Sequence, residues 1–577
     1  MRPVVVVAVI VALVAVRPVW ADVRLDGVKG RIADNVRAYL RLDDEPCDQD
    51  PVRVRYRYEQ APRDIREALK PFGYYQPSIE STLTLNEDRE QDCWRAVFRI
   101  DPGEPVLIDS VDVDVRGEGS SLPVFQRLLA DTGLKTGAQL RHSDYETLKD
   151  ALLVAAREYG FFDARLIRHD IRVDRGRYSA SINLVMDTGE RYRFGDLDVS
   201  SGADVLNREL LVRYADFNAG APFEQRRLRK LQNDLVASDY FSVVDVRTRP
   251  REDDKTVDVR VILEASRRIR YGIGIGYGTD TGPVVRGDFS VRRLNRAGHR
   301  LGMDTELSEV TQNVSADYRV PGKRPQSDWY SFYGGVNREN SDAIENVAVK
   351  VGVRQNIFHT VNWSSTPFIE LLVGRSKQNG AWTQQMSLVP GWGVHYVTAN
   401  VPVRPTHGLR FKAEAATAIE NVLSDASFLR LDLEGKTILP LSERGRLLLR
   451  SEVGWMATND FENVPPAWRF FAGGDRSVRG YDYQSLGPQD DAGKSLGGRL
   501  LLTASVESDW RFLARWSAAV FVDAGNVGDE HLLDNLPWSI GAGVRWYSPV
   551  GPIRLDLAFP QEGGNSFRIH ISMGPDL

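Results

Sequence analysis

The sequence predicts three repeated α+β modules followed by a transmembrane antiparallel β-barrel of about 16 strands. Three observations carry this. A unit of strand, two helices and two strands recurs three times in the first half. From about Ala265 helical periodicity stops, and apolar residues alternate with polar or glycine positions. Of 12 tryptophans, 10 stand at or beyond Trp329, the bias expected of aromatic belts at a membrane–water interface. A large soluble β-sandwich would explain the alternation but not that bias.

The chain opens with Met1-Arg2 and the apolar run Val4 to Val16, then "VWA" before Asp22. The run is too short for a comfortable transmembrane helix, so residues 1–21 read as a signal peptide, with an uncleaved anchor as the alternative. No other stretch approaches 18 consecutive apolar residues, which leaves strands as the only means of crossing a bilayer. At 577 residues the chain exceeds one core. Its net charge of -5, from 74 basic and 79 acidic residues, gives no footprint for nucleic acid. Cys47 and Cys93 are the only cysteines. In an exported chain an even pair reads as a disulfide, and no His or Cys cluster joins them to make a zinc site.

The modules are assigned to residues 22–104, 105–188 and 189–264. Each carries one landmark: "LKPFGYYQPSIES" from Leu69, "AAREYGFFDARLI" from Ala155 and "LVASDYFSVVDVR" from Leu235. A turn residue (Gly73, Gly160, Asp239) ends a helix, two aromatics follow, and a strand begins. In the first module Ile32, Val36, Tyr39 and Leu40 share one helix face. In the second, Tyr145, Leu148, Leu152, Ala155 and Tyr159 do so, behind a capping box expected at Ser143 to Glu146.

Residues 265–577 form the barrel region. Its first strand, "IRYGIGIGYG", sets Ile269, Tyr271, Ile273, Ile275 and Tyr277 on one face and Gly272, Gly274, Gly276 and Gly278 on the other. The glycines do not form a phosphate loop, because the apolar period is two and no helix start follows. Either they weaken this strand or they let another segment approach the wall.

The strand-helix-helix-strand-strand order, the Gly-aromatic-aromatic turn and the junctions "DPGE" and "DTGE" resemble polypeptide-transport-associated (POTRA) domains. POTRA-like repeats ahead of a barrel resemble the BamA/TamA outer-membrane assembly superfamily, and three repeats fit its TamA-type branch. "RFFAGGDRSVRGY" and "GAGVRWYSPVGPIRLD" are similar to that branch. The resemblance implies that Val478, Arg479, Gly480 and Tyr481 form the tip of a loop folded into the barrel. It also implies that "FVDAG" supplies Asp523 and "ASVESDW" supplies Glu507 as acidic partners of Arg479. A guanidinium inside a barrel needs such carboxylates to replace its water.

The resemblance further implies an outer-membrane location with periplasmic modules, and insertion of outer-membrane proteins, autotransporters among them. The expected partner is a TamB-like inner-membrane-anchored protein spanning the periplasm, with outer-membrane lipid around the barrel and a role in lipid passage also open. The first strand must meet the last, whose apolar positions are Phe567, Ile569, Ile571 and Met573, and this seam is expected to open laterally. A two-partner secretion transporter is the alternative. No cofactor is expected, and without G-x-S-x-G or H-E-x-x-H no enzyme is expected.

Overall fold

A computed structural model describes residues 22–46, 49–85, 94–202, 204–341, 344–378, 380–401, 404–491, 493–530, 532, 536–548, 551–561 and 567–573. The signal segment 1–21, Cys47 and Cys93 lie outside the described residues. The chain falls into two compact units. One holds the residues to Asp196 with Phe217–Arg227 and Thr248–Asp258. The other holds Leu197–Asp216, Leu228–Arg247 and everything from Val259.

The first module comprises β1 (Asp22–Asp26), α1 (Arg31–Tyr39), α2 (Pro51–Leu69), β2 (Ser78–Leu85) and β3 (Trp94–Asp101), in sheet order β1-β3-β2. The central strand is parallel to β1 and antiparallel to β2. Its alternate residues Trp94, Ala96, Phe98 and Ile100 are buried with Val36, Ala61 and Ile65 of the helices, the period of two meeting the period of 3.6 in one core. The second module repeats this as β4 (Leu107–Arg116), α3 (Pro123–Ala130), α4 (His142–Glu158), β5 (Arg165–Asp174) and β6 (Ser179–Asp187), in order β4-β6-β5. The third is β7 (Arg193–Asp198), α5 (Arg208–Val212), α6 (Gln225–Ala237), β8 (Phe241–Arg251) and β9 (Thr256–Ala265), in order β7-β9-β8.

Two local expectations are corrected. Tyr39 is 46% exposed rather than part of the apolar face. The helix ends there, and Leu40 leaves it with extended backbone to bury its own side chain instead. The capping box at Ser143 does not form. The helix starts two residues earlier than that box requires, at His142, with Arg141 as a cap that makes no side-chain bond. Ser143 therefore sits inside the first turn, where its hydroxyl donates to Asp144. His142 is held there by Tyr75 of the first module, whose hydroxyl lies 2.7 Å from Nε2. Burial holds the His142 imidazole below its ordinary value, which favours the neutral ring at this contact.

The repeated landmark is the joint between successive parts. Gly73, at φ 84°, gives its carbonyl to the Val106 amide at 2.9 Å, and a Cβ there would lie 2.5 Å from the Leu140 carbonyl oxygen. Gly160, at φ 86°, gives its carbonyl to the Tyr192 amide and faces Phe223, 2.9 Å from a built Cβ. At the third landmark the left-handed residue is Asp239, φ 59°, and its carboxylate takes Arg292 Nε at 2.5 Å. Beside it the Tyr240 hydroxyl donates to the Gly298 carbonyl, and the Arg300 guanidinium stacks over the Tyr240 ring at 4.1 Å. A left-handed turn brings the chain close enough for backbone-to-backbone contact, which a side chain at Gly73 or Gly160 would block.

Sixteen antiparallel strands, β10–β25, follow as a continuous meander from Ile269 to Met573. Outward positions are apolar and exposed. Trp363, Trp382, Trp392, Trp455, Trp510, Trp516, Trp538 and Trp546 all face out, most of them near strand ends, as an interfacial belt requires. Trp468 does not; it belongs to the long 459–499 connection and is buried with Phe470 of that connection and Phe428 of the barrel in one apolar cluster.

Candidate functional site: the lumen loop and the barrel seam

The 459–499 connection joins β20 (Gly445–Thr458) to β21 (Leu500–Leu513) and carries the Val478-Arg479-Gly480-Tyr481 tip inward. Val478 is fully buried in the apolar cluster. Arg479, at 6% exposure, meets a set of acids on the next strands. The strands are β21, β22 (Trp516–Gly528), β23 (Trp538–Ser548) and β24 (Gly551–Pro560), and the acids stand on the first, second and fourth of them. Its Nε donates to Asp523 Oδ2 at 2.7 Å and its NH2 to Asp523 Oδ1 at 3.0 Å, a forked pair. The Arg479 amide also donates to Asp523 Oδ2, at 3.1 Å. NH1 reaches Glu507 Oε2 at 2.8 Å and Asp556 Oδ2 at 2.9 Å.

Sequence reasoning named Asp523 and Glu507 and missed the rest of the cage. Asp556 on β24 is the third acid, and Arg545 on β23 is a second guanidinium, bonded to both Glu507 and Asp556. Ser505 donates to Asp523 Oδ1 at 2.6 Å. Phe521 lies beneath Arg479, ring centroid 3.4 Å from Cζ, a cation–π contact between two buried side chains. Gly541 and Gly543 of β23 make the room. A Cβ at Gly541 would sit 2.2 Å from the Phe521 ring, and one at Gly543 would strike the Asp556 carboxylate. The signal for Arg545 and Asp556 was their parity: each alternates with outward Val544, Trp546, Leu555 and Leu557.

Gly480 adopts φ 95°, and its amide donates to His570 Nε2 at 2.8 Å. The Tyr481 hydroxyl donates to the Trp538 carbonyl at 3.2 Å. The tip is thus bonded on the flank formed by the last strands.

The seam lies between β10 (Ile269–Gly278) and β25 (Arg568–Met573). Phe567 falls just before the last strand rather than within it, 52% exposed. On one side β10 makes a full ladder with β11 (Gly282–Val291), from Ile269–Val291 to Gly278–Gly282. Among the described residues its other edge makes no ladder with β25. The two meet just past the end of β10, where the Thr279 amide donates to the Ile571 carbonyl at 3.3 Å and the Ile571 amide to Thr279 Oγ1 at 2.8 Å. Tyr271, Ile273 and Ile275 are 78%, 83% and 83% exposed; Ile269, Tyr277, Ile569 and Met573 also face out.

The glycine question has an answer in the geometry. A Cβ on Gly276 would meet nothing within 4 Å, and one on Gly274 only the edge of Arg286, so no segment needs these glycines for close approach. At Gly272 the neighbour is Asp288 of β11, not the loop. What the glycines remove is cross-strand side-chain contact along one face of an edge strand.

The comparisons with known proteins follow this architecture. Residues 289–576 match the Omp85 superfamily domain, and residues 22–102 match the POTRA domain described as TamA domain 1. The outer membrane protein assembly factor BamA of Nitratidesulfovibrio vulgaris is 24% identical over 429 residues, covering 70% of this chain. The chain spans about half the length of that relative, 52%. BamA of Neisseria meningitidis serogroup B is 20% identical over 551 residues, 70% of this chain and 68% of that protein. The crystal structure of Haemophilus ducreyi BamA lacking POTRA domains 1-3 shares the fold, with TM-score 0.67 and 16% identity over 81% of this chain and all of that one. The chain therefore carries an Omp85 superfamily domain, opened by a POTRA domain of the TamA domain 1 type.

Proposed function

We propose that this chain is the outer-membrane component of a translocation and assembly module, inserting outer-membrane and surface proteins such as autotransporters through the β10–β25 seam. One observation carries the reading: a glycine-rich edge strand in an otherwise laddered barrel, which among the described residues forms no ladder with the last strand and is hydrogen-bonded to it just past its own end, at Thr279 and Ile571. Such an edge is a template for an incoming strand, and the backbone bonding it offers tolerates varied client sequences. The relatives named as outer membrane protein assembly factors support this class of function.

The modules take the periplasmic side in this reading. Each exposes sheet edges, β2, β5 and β8 among them, where an extended segment can add. The TamA type of the first POTRA domain supports a TamB-like, inner-membrane-anchored partner spanning the periplasm. Arg479 and its acids serve here as an anchor for the loop, not as an acid–base pair.

Reconstitution tests the reading. Vesicles holding the full chain should insert an unfolded β-barrel client several times faster than vesicles without it, read as protease-resistant, heat-modifiable barrel. Delivery of a soluble exoprotein into the vesicle lumen, with no gain in barrel insertion, would support the secretion-transporter alternative instead.

A further inference from the structure

We infer that the lumen loop is the latch of the seam: it ties β10 to β25 through Asp475, Gly480 and Asp482, so that the seam opens only when the loop lets go. As regulation of the seam, this rests on the function proposed above for its purpose, while its contacts stand independently.

The contacts form a small cluster where the seam strands meet. Asp280 follows β10 in the turn to β11; Arg568 and His570 stand on β25; Gly474, Asp475, Gly480 and Asp482 belong to the loop. The Asp475 amide donates to Asp280 Oδ2 at 2.7 Å. Its carboxylate takes the His570 Nδ1 proton. One loop residue therefore holds the end of the first strand with its backbone and the last strand with its side chain. Two further loop contacts grip β25: the Gly480 amide on His570 Nε2 at 2.8 Å, and Asp482 on the Arg568 guanidinium. Arg568 also faces Asp280 at 3.9 Å, closing the ring of charges across the seam. Gly474, at φ 95°, lets the loop come this near, since a Cβ there would lie 2.5 Å from Asp280 Oδ2. Among the described residues, direct hydrogen bonding between the two ends joins Thr279 and Ile571.

Asp280, Asp475 and His570 offer ligand atoms within 4.8 Å of one another, the spacing of a cation site. The proton count argues against an ion in this closed arrangement. A neutral imidazole has one lone pair, and Nε2 uses it for the Gly480 amide. Nδ1 therefore carries the proton given to Asp475 and has nothing left for a metal. His570 is a two-sided connector: its ring ties the loop tip to the loop base through the last strand.

The latch and the Arg479 cage then have separate tasks. The cage fixes the tip against β21, β22 and β24. The latch joins that fixed loop to both edges of the barrel, and a client strand arriving at β10 competes with it.

Hydrogen exchange on the full-length chain in lipid vesicles tests this, because amides at the seam exchange in proportion to the time it is open. Peptides covering Tyr277–Thr281 and Arg568–Met573 should exchange about fivefold faster in Asp475→Ala and in His570→Phe, the effect of losing roughly one such contact. Asp475→Asn keeps an acceptor for His570 Nδ1–H and should stay at the unmodified rate. Peptides within β21 and β22 should be unchanged in all three, which certifies a folded barrel; should His570→Phe fail that check, Asp475→Ala carries the test. Unchanged seam exchange in Asp475→Ala, or equal acceleration in Asp475→Asn, would overturn the latch. Faster exchange with an unaltered rate of client insertion would leave the latch standing and count against the seam as the insertion site.

Discussion

Arg479 is the residue on which the loop's placement turns, because its removal would take from Glu507, Asp523 and Asp556 the guanidinium bonded to all three, leaving Arg545 bonded to Glu507 and Asp556. Breaking a buried ion pair from one side costs about 3–5 kcal/mol, far more than an exposed pair contributes. Arg479→Ala is therefore expected to release the loop, read as new protease cleavage between Gly473 and Pro488 in the folded barrel. Arg479→Lys should also release it, since an ammonium cannot fork onto Asp523 while reaching two further acids. Among the acids Asp523 should matter most: it takes the Arg479 amide, Nε and NH2 as well as the Ser505 hydroxyl, whereas Glu507 shares its load with Asp556. Cleavage equal in Asp523→Ala and Glu507→Ala would contradict that ranking. How much of the site was legible differed by residue. Asp523 stood in a short recognisable pattern, and Glu507 beside it in an alternating strand. Asp556 and Arg545 carried only their inward parity, and parity says that a residue faces the lumen, not which lumen residue it meets. His570 and Asp280 had no local signal, because they become neighbours of the loop only when the barrel brings its two ends together.

At the scale of elements, the repeated turn was legible as a repeat but not as a joint. A glycine followed by two aromatics announces a left-handed turn and a strand start, whereas its docking partners Leu140, Phe223 and Gly298 lie much further along the chain. The joints make an expectation about Gly73. An added methyl would have to fit 2.5 Å from the Leu140 carbonyl at a left-handed backbone, so Gly73→Ala should cost roughly 1–3 kcal/mol. The loss should localise to the joint, as faster amide exchange at Val106 and Leu140 with the first module's core strands unaffected. The capping-box error has the same origin as the unseen joint: His142 was drawn into the helix by Tyr75, a contact between modules that no local pattern encodes. The first module also bears on the cysteines. The Trp94 indole N–H donates to the Pro46 carbonyl at 3.5 Å, so the residues next to Cys93 and Cys47 touch. A disulfide between them is expected to stabilise the module by roughly 4 kcal/mol in the chain-entropy model. Thiol labelling of the unreduced, denatured chain should find neither cysteine free, and quantitative labelling of both would refute the bond.

For the whole molecule, strand number followed from the length of the barrel region and the outward faces from alternation, because each strand declares its two faces locally. The open edge did not, since closure depends on the register that sixteen strands accumulate around the barrel. That register can now be used. Sixteen strands that alternate in direction make β25 antiparallel to β10, and the Thr279–Ile571 bonds set those two residues opposite each other. Continuing outward sets Tyr277 opposite Met573, two outward residues at 55% and 47% exposure. Cysteines at these two positions, in a chain whose Cys47 and Cys93 are replaced by serine, should oxidise to a cross-link that joins β10 to β25. The locked barrel would still carry its loop, its acidic cage and its modules, so only the seam is removed from play. Client insertion into vesicles is expected to stop on oxidation and to resume on reduction, while a control pair across Tyr271 and Phe289, already laddered between β10 and β11, leaves the rate unchanged. A seam-locked barrel, fully cross-linked and folded, that inserts clients at the unlocked rate would mean that the exposed edge of β10 is not where they enter, and that the glycines along it serve the barrel itself.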